Sequence, residues 1–175
     1  MDRIFQAFRE RQYGEGMALA AESDRLELIP LDGPAPHLYR ARFDARGLIK
    51  DRSGRVVEAD GFEVGIRFPE DYLRRAHSGQ VLTYLGPHRR PWHPNIHMHV
   101  PFICLHMDPA TTLVDLLYSC FEIWTWNLYQ TGDNGLNPAA SQWARRQGEQ
   151  RFPVDRRPLK RLKSDAEPVP EGAHA

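Results

Sequence analysis

The sequence predicts an α+β domain in which one helix leads into a four-stranded antiparallel meander, then an irregular loop and two further helices. Three patterns carry that prediction. Apolar residues recur at helical spacing at the start of the chain and again from Leu113 to Leu128. Between them lie four short apolar or alternating segments with turn residues around them. Gly86 to Pro101 follows neither period and is rich in Pro and His.

Residues 2–21 place Ile4, Phe5, Phe8, Ala18 and Leu19 among charged positions, as an amphipathic helix does, although Gly14 and Gly16 weaken its middle. Glu22-Ser23-Asp24 reads as a turn. Leu26, Leu28 and Leu31 mark a first strand that Pro30 and Asp32-Gly33-Pro34 bring to a close. His37–Phe43 alternates apolar and polar residues, the pattern of a half-buried antiparallel strand. After a turn at Asp51-Arg52-Ser53-Gly54, Phe62–Phe68 alternates again and Gln80–Leu85 supplies the fourth strand. Thr111 or Thr112 can cap a helix whose buried face comprises Leu113, Leu116, Leu117, Cys120, Trp124 and Leu128. Gly132-Asp133-Asn134-Gly135 breaks it. Asn137 as N-cap, with Pro138 in the first turn, opens a last helix to about Gln147. Beyond it the chain is charged, Pro-rich and poor in apolar residues, which predicts a domain over 1–148 and a flexible tail over 149–175.

A chain of 175 residues can bury one sizeable core. Its formal net charge of zero argues against wholesale nucleic-acid binding. No uncharged apolar run approaches the roughly 18–20 residues that cross a bilayer. Met1 to Ala21 is too charged to read as a signal peptide. Cys104 and Cys120 make no disulfide framework, which fits a reducing cytoplasm.

The irregular loop holds His93-Pro94-Asn95-Ile96, and Cys104 follows nine residues after Asn95. Long polar loops beside a compact sheet usually carry function. Phe68-Pro69-Glu70-Asp71-Tyr72 precedes this loop at a strand end. Ile103-Cys104-Leu105, Pro109-Ala110-Thr111 before a helix, and Leu136-Asn137-Pro138-Ala139-Ala140 at the next helix follow it. In this order, from Phe62 to Arg145, the pieces resemble ubiquitin-conjugating enzymes. The resemblance implies a UBC-like fold and a cytoplasmic transferase without metal or organic cofactor. The partners it implies are a ubiquitin-like modifier, a cognate activating enzyme and a protein substrate, with no role for nucleic acid or membrane.

Residue by residue, the resemblance makes Cys104 the acceptor cysteine, which takes the modifier's C-terminus as a thioester. A thiol suits this role because the thiolate attacks readily and also leaves readily. Asn95 matches the asparagine whose amide steadies the oxyanion when an amine attacks, or braces the loop that positions it. His93 and Pro94 match residues that shape the loop. Asp133 and Asn134 fall where the family keeps an acidic or polar residue near the cysteine, Asn134 in the closer register. His106 lies two residues past Cys104, on the same side of an extended segment, where a neutral imidazole can orient or deprotonate an amine. Arg3, Arg9 and Arg11 on the first helix match the activating-enzyme face, and Pro109 and Ala110 lie in the partner-binding region. Only three of the 23 basic residues are lysines, Lys50, Lys160 and Lys163. GC-rich codon usage accounts for this skew; so does the advantage of few amines around an activated acyl group.

The sequence also departs from the family. Asn95 to Cys104 is one residue longer than usual, Cys104 to Pro109 is shorter and lacks a tryptophan, and the last two helices of the family are missing. Leu73-Arg74-Arg75-Ala76-His77 replaces the proline-aromatic segment that a ligase grips, which bears on ligase binding more than on thioester chemistry. These departures look like those of divergent bacterial members that serve antiviral defence operons. Three rival readings remain: a catalytically inactive UBC-fold binding module, a zinc site drawn from His93, His97, His99, Cys104 and His106, and a cysteine hydrolase.

Overall fold

A computed structural model describes residues 2–130, 132 and 135–160. Phe5, Phe8, Gln12, Gly16 and Leu19 recur every three or four residues and form the buried stripe of α1 (Arg3–Glu22). Ile4 points outward and is 72% exposed. Gln12 is buried because its Oε1 accepts the Leu113 backbone N–H at 2.6 Å, one of the free donors that begin the next long helix. At Gly16 an added Cβ would lie 2.6 Å from Leu113 Cδ2. The glycine that weakens α1 is therefore what lets the two helices approach.

The sheet is an antiparallel meander in the order β1 (Leu26–Pro30), β2 (Leu38–Lys50), β3 (Val56–Arg67), β4 (Leu82–Gly86). Its buried face alternates through Tyr39, Ala41, Phe43 and Ala45 on β2 and Phe62, Val64 and Ile66 on β3. This face packs with α1 and α3 (Leu113–Trp124) into the main core. A single helical turn, α2 (Ser78–Val81), precedes β4, and α4 (Pro138–Ala144) is the last α-helix among the described residues. The α+β architecture agrees with the sequence reading.

Several boundaries differ from it: β2 runs past Phe43 to Lys50, β3 begins at Val56 rather than Phe62, Gln80 and Val81 belong to α2, and the last helix ends at Ala144 rather than near Gln147. Thr112 caps α3 as expected, accepting the Asp115 N–H at 3.1 Å, but the helix stops at Trp124 and leaves Leu128 39% exposed. The reason lies at Trp126, which takes a left-handed backbone (φ 64°) and turns its ring inward to 1% exposure. That backbone costs a non-glycine residue on the order of 1–3 kcal/mol. Burial of an indole offsets it. Trp126 stacks on Phe152 at 4.7 Å and 6° and centres a second core with Leu48, Trp92, Ala140 and Ala144.

The predicted tail differs more. Residues 149–160 run across the domain rather than away from it, starting with a 3-10 turn at Glu149–Arg151. Leu159 enters the main core at 2% exposure, and the Val154 N–H reaches Thr125 O at 2.7 Å. A bulge between Phe43 and Arg46 frees the Arg46 N–H from the β2 ladder, and the Asp155 carboxylate accepts it at 3.0 Å. Burial alone would raise the Asp155 carboxyl, but hydrogen bonds from Arg157 and the Arg46 backbone outweigh it and hold the group well below the usual carboxylate range. Few apolar residues suffice because these polar anchors carry the strap. The rest of the predicted tail, 161–175, lies outside the described residues.

Two glycines give opposite expectations on urea denaturation. At Gly47 an added Cβ would meet Trp124 Cε2 at 2.4 Å, and Trp124 is fixed by its 2.9 Å bond to Ala45 O and by stacking on Phe62. Gly47→Ala should cost about 1–3 kcal/mol. Nothing lies within 4 Å of a Cβ at Gly14, mid-helix, so Gly14→Ala should add about 0.5–1 kcal/mol.

Candidate active site

The loop that looked irregular is a small hairpin, and it sets Asn95 opposite Cys104. The Cys104 N–H donates to Asn95 O at 2.7 Å, Ile96 bridges Ile103, and the His97 N–H donates to Phe102 O at 3.0 Å. The second arm also lines the sheet edge: Thr83 bridges Phe102, and the Tyr84 N–H donates to Pro101 O at 3.0 Å. Ile96 and Ile103 point into the core while Cys104 is partly exposed, as alternation on an extended strand requires. His106 is exposed two residues further on.

Asn95 is 3% exposed and spends its polar atoms on the frame. Its Nδ2 donates to Cys104 O at 3.0 Å, and its Oδ1 accepts the Gln130 N–H at 3.2 Å. Its own N–H donates to His93 Nδ1 at 3.0 Å. One amide thus ties the cysteine strand to the segment after α3.

His93 is 1% exposed, with its ring edge-on to Trp126 at 4.6 Å. Burial pushes its pKa down to about 3, opposed only by the Leu128 backbone, at which Nε2 points without a well-formed hydrogen bond. The ring is therefore a neutral acceptor that fixes the bend. Pro94 O accepts the Asn137 N–H at 3.2 Å. Asn137 in turn caps α4, its Oδ1 accepting the Ala140 N–H at 3.1 Å. The two motifs that sequence places over 40 residues apart are hydrogen-bonded neighbours.

The remaining candidates divide. Pro109 and Ala110 are exposed in a turn where Ala110 is left-handed (φ 64°), and Tyr72 fastens that turn by donating to Thr111 O at 2.8 Å. Arg3 and Arg11 lie on the exposed side of α1, Arg11 3.8 Å from Glu15. Arg9 departs from the predicted basic face: its side chain is 12% exposed, 3.8 Å from Asp32, and donates to Ala35 O. It anchors the β1–β2 connection instead. Asp133 and Asn134 lie outside the described residues. Cys120 is fully buried, which pushes its thiol up to about 12 and leaves it inert.

Sequence reasoning did not single out the Gln130 backbone, the Tyr72 hydroxyl or the buried Trp126. The first two act through atoms whose use depends on tertiary geometry, and nothing in the residue string signals the left-handed turn at Trp126. Among the described residues no group of three His, Cys, Asp or Glu side chains could hold a metal ion. His93 faces the second core, and His97 Nδ1 accepts the His99 and Val100 N–H groups at the hairpin tip, both at 3.1 Å. No helix among the described residues is long and apolar enough to cross a membrane. No protein-family model matches the chain, and no curated protein matches it.

The buried neutral His93 makes a pH prediction. Unfolding returns it to an ordinary value near 6.5, so between about pH 3 and 6.5 the unfolded chain binds the extra proton. Stability from this group is complete above about pH 6.5 and falls by roughly 1.4 kcal/mol per pH unit below it. Urea unfolding at pH 7 and pH 5 should therefore show a loss about 2 kcal/mol larger in the wild type than in His93→Asn.

Proposed function

We propose that the protein is a ubiquitin-conjugating-type transferase with a UBC-like fold, which carries a ubiquitin-like modifier as a thioester on Cys104. The observation that carries this reading is the reciprocal hydrogen bonding of Asn95 and Cys104, which holds a partly exposed cysteine on a braced segment. The gathering of His93-Pro94-Asn95 and Asn137 supports it.

The chemistry follows from the groups present. The Cys104 thiolate attacks the thioester carbonyl on an activating enzyme, a new C–S bond forms, and the enzyme's thiolate leaves. An acceptor amine then attacks the same carbonyl, and Cys104 is released. Asn95 already donates one amide hydrogen to Cys104 O, which favours the bracing role over a free oxyanion donor. His106, exposed two residues past Cys104, would orient or deprotonate the amine. Arg3, Arg11 and the exposed Pro109–Ala110 turn would meet the partners; Arg9, drawn inward to Asp32 and Ala35, would not. Arg74 and Arg75 are exposed where the family offers an aromatic residue, so transfer would proceed without an ordinary ligase grip. A bacterial defence pathway in the cytoplasm suits the departures from the eukaryotic pattern.

Incubation with an activating enzyme, its ubiquitin-like modifier and ATP should give a dithiothreitol-sensitive adduct on the wild type. Cys104→Ala should give none, and Cys104→Ser should give a dithiothreitol-resistant, hydroxide-labile oxyester. An adduct that survives Cys104→Ala would sink the assignment.

A further inference from the structure

Phe152, on the strap over 149–160, is only partly buried, yet its ring faces three aromatic side chains of the second core. It stacks on Trp126, and its centroid lies 5.0 Å from that of Tyr129 and 6.1 Å from that of Trp143. Each of those rings belongs to a segment that holds one of three consecutive residues at the site. Trp126 meets the His93 ring edge-on at 4.6 Å. Trp143 stands on α4, whose cap Asn137 donates its N–H to Pro94 O at 3.2 Å. Tyr129 precedes Gln130, whose N–H donates to Asn95 Oδ1 at 3.2 Å. Asn95 then donates to Cys104 O at 3.0 Å.

The strap is fixed by groups outside the site. The Val154 N–H donates to Thr125 O, the Asp155 carboxylate accepts the Arg46 N–H, and Leu159 is buried in the main core. Those anchors set the place of one ring, and its three neighbours lead to His93, Pro94 and Asn95.

We infer that Phe152 is a positioning residue for Cys104: it holds the three aromatic residues whose segments hold the 93–95 bend, and the bend holds the cysteine. This deepens the thioester reading and rests on it only where charging is measured. Without the ring, Trp126, Tyr129 and Trp143 lose a shared neighbour, and the bend opens locally while the main core stays closed. A small alkylating reagent needs only an uncovered sulfur, so a looser Cys104 reacts with it faster. A thioester held on a partner needs the sulfur at one place, so the same loosening slows charging. Global unfolding would do both as well. Cys120 separates the two cases, because it is fully buried in the main core and reacts only on unfolding.

Phe152→Leu keeps an apolar side chain and removes the ring, whereas Phe152→Tyr keeps the ring. In the native protein, iodoacetamide should alkylate Cys104 of Phe152→Leu about threefold faster than in the wild type, with Cys120 unmodified. Charging by an activating enzyme, its modifier and ATP should be about threefold slower. Phe152→Tyr should match the wild type in both. Gly16→Ala, which crowds Leu113 in the main core, should leave both Cys104 rates unchanged. On an Asn95→Ala background, where the bonds to Cys104 O and the Gln130 N–H are cut, Phe152→Leu should add no further change. The inference is overturned if Phe152→Leu is alkylated at Cys104 at the wild-type rate, if Cys120 is modified in step with Cys104, or if the effect is undiminished on Asn95→Ala. A wild-type protein that is never charged would overturn the thioester reading instead, and the alkylation rates would still decide the role of Phe152.

Discussion

The pair of hydrogen bonds between Asn95 and Cys104, one from each residue to the other's carbonyl, is the constraint on which the site depends. A hairpin this short has little intrinsic stability in water. It persists here because its second arm pairs with the edge of β4 and because Asn95 is held from three directions. His93 receives its N–H, Gln130 supplies a donor to its side-chain oxygen, and Cys104 takes its amide. Each partner comes from an element with its own reason to be where it is. The result is a cysteine whose backbone is fixed while the residue stays partly exposed.

The second core explains how those elements converge. Left to propensity, α3 would run on toward Leu128, and the following segment would not reach Asn95. Trp126 instead turns left-handed and buries its indole between His93 and Phe152. Backbone strain at one residue is thus coupled to the packing that brings Gln130 beside the hairpin. The strap over 149–160 contributes Phe152 to this core and is pinned by Asp155 on the β2 bulge. Where a further helix would supply apolar area, this chain uses a carboxylate and a few side chains.

Much of the fold was legible from period alone. The alternation in β2 and β3, the Phe5, Phe8 and Leu19 positions of α1 and the caps at Thr112 and Asn137 depend on neighbours in sequence, and the structure agrees with them; Ile4 and Ala18, read into the same stripe, are exposed, and Gln12 and Gly16 complete it instead. Other features depend on partners far along the chain. The hairpin at 95–104 looked irregular because its ladder bonds replace apolar alternation, with His and Pro filling a turn that sequence patterns do not encode. Asp155 and Leu159 read as tail because their anchors, Arg46 and Ser23, lie more than 100 residues away. Arg9 read as a surface cation, yet Asp32 and the Ala35 carbonyl draw it inward. Around Cys104, the structure brings together Asn95, His93 and Pro94, which are near one another in sequence, while Gln130 and Trp126 required the three-dimensional arrangement.

Two cysteines in one chain provide an internal comparison for the central claim. Brief treatment of the native protein with iodoacetamide, resolved by peptide mass, measures how reachable each sulfur is. The account predicts rapid alkylation of Cys104, with Cys120 modified only after unfolding. Protection of Cys104 to the level of Cys120 in the native protein would contradict it.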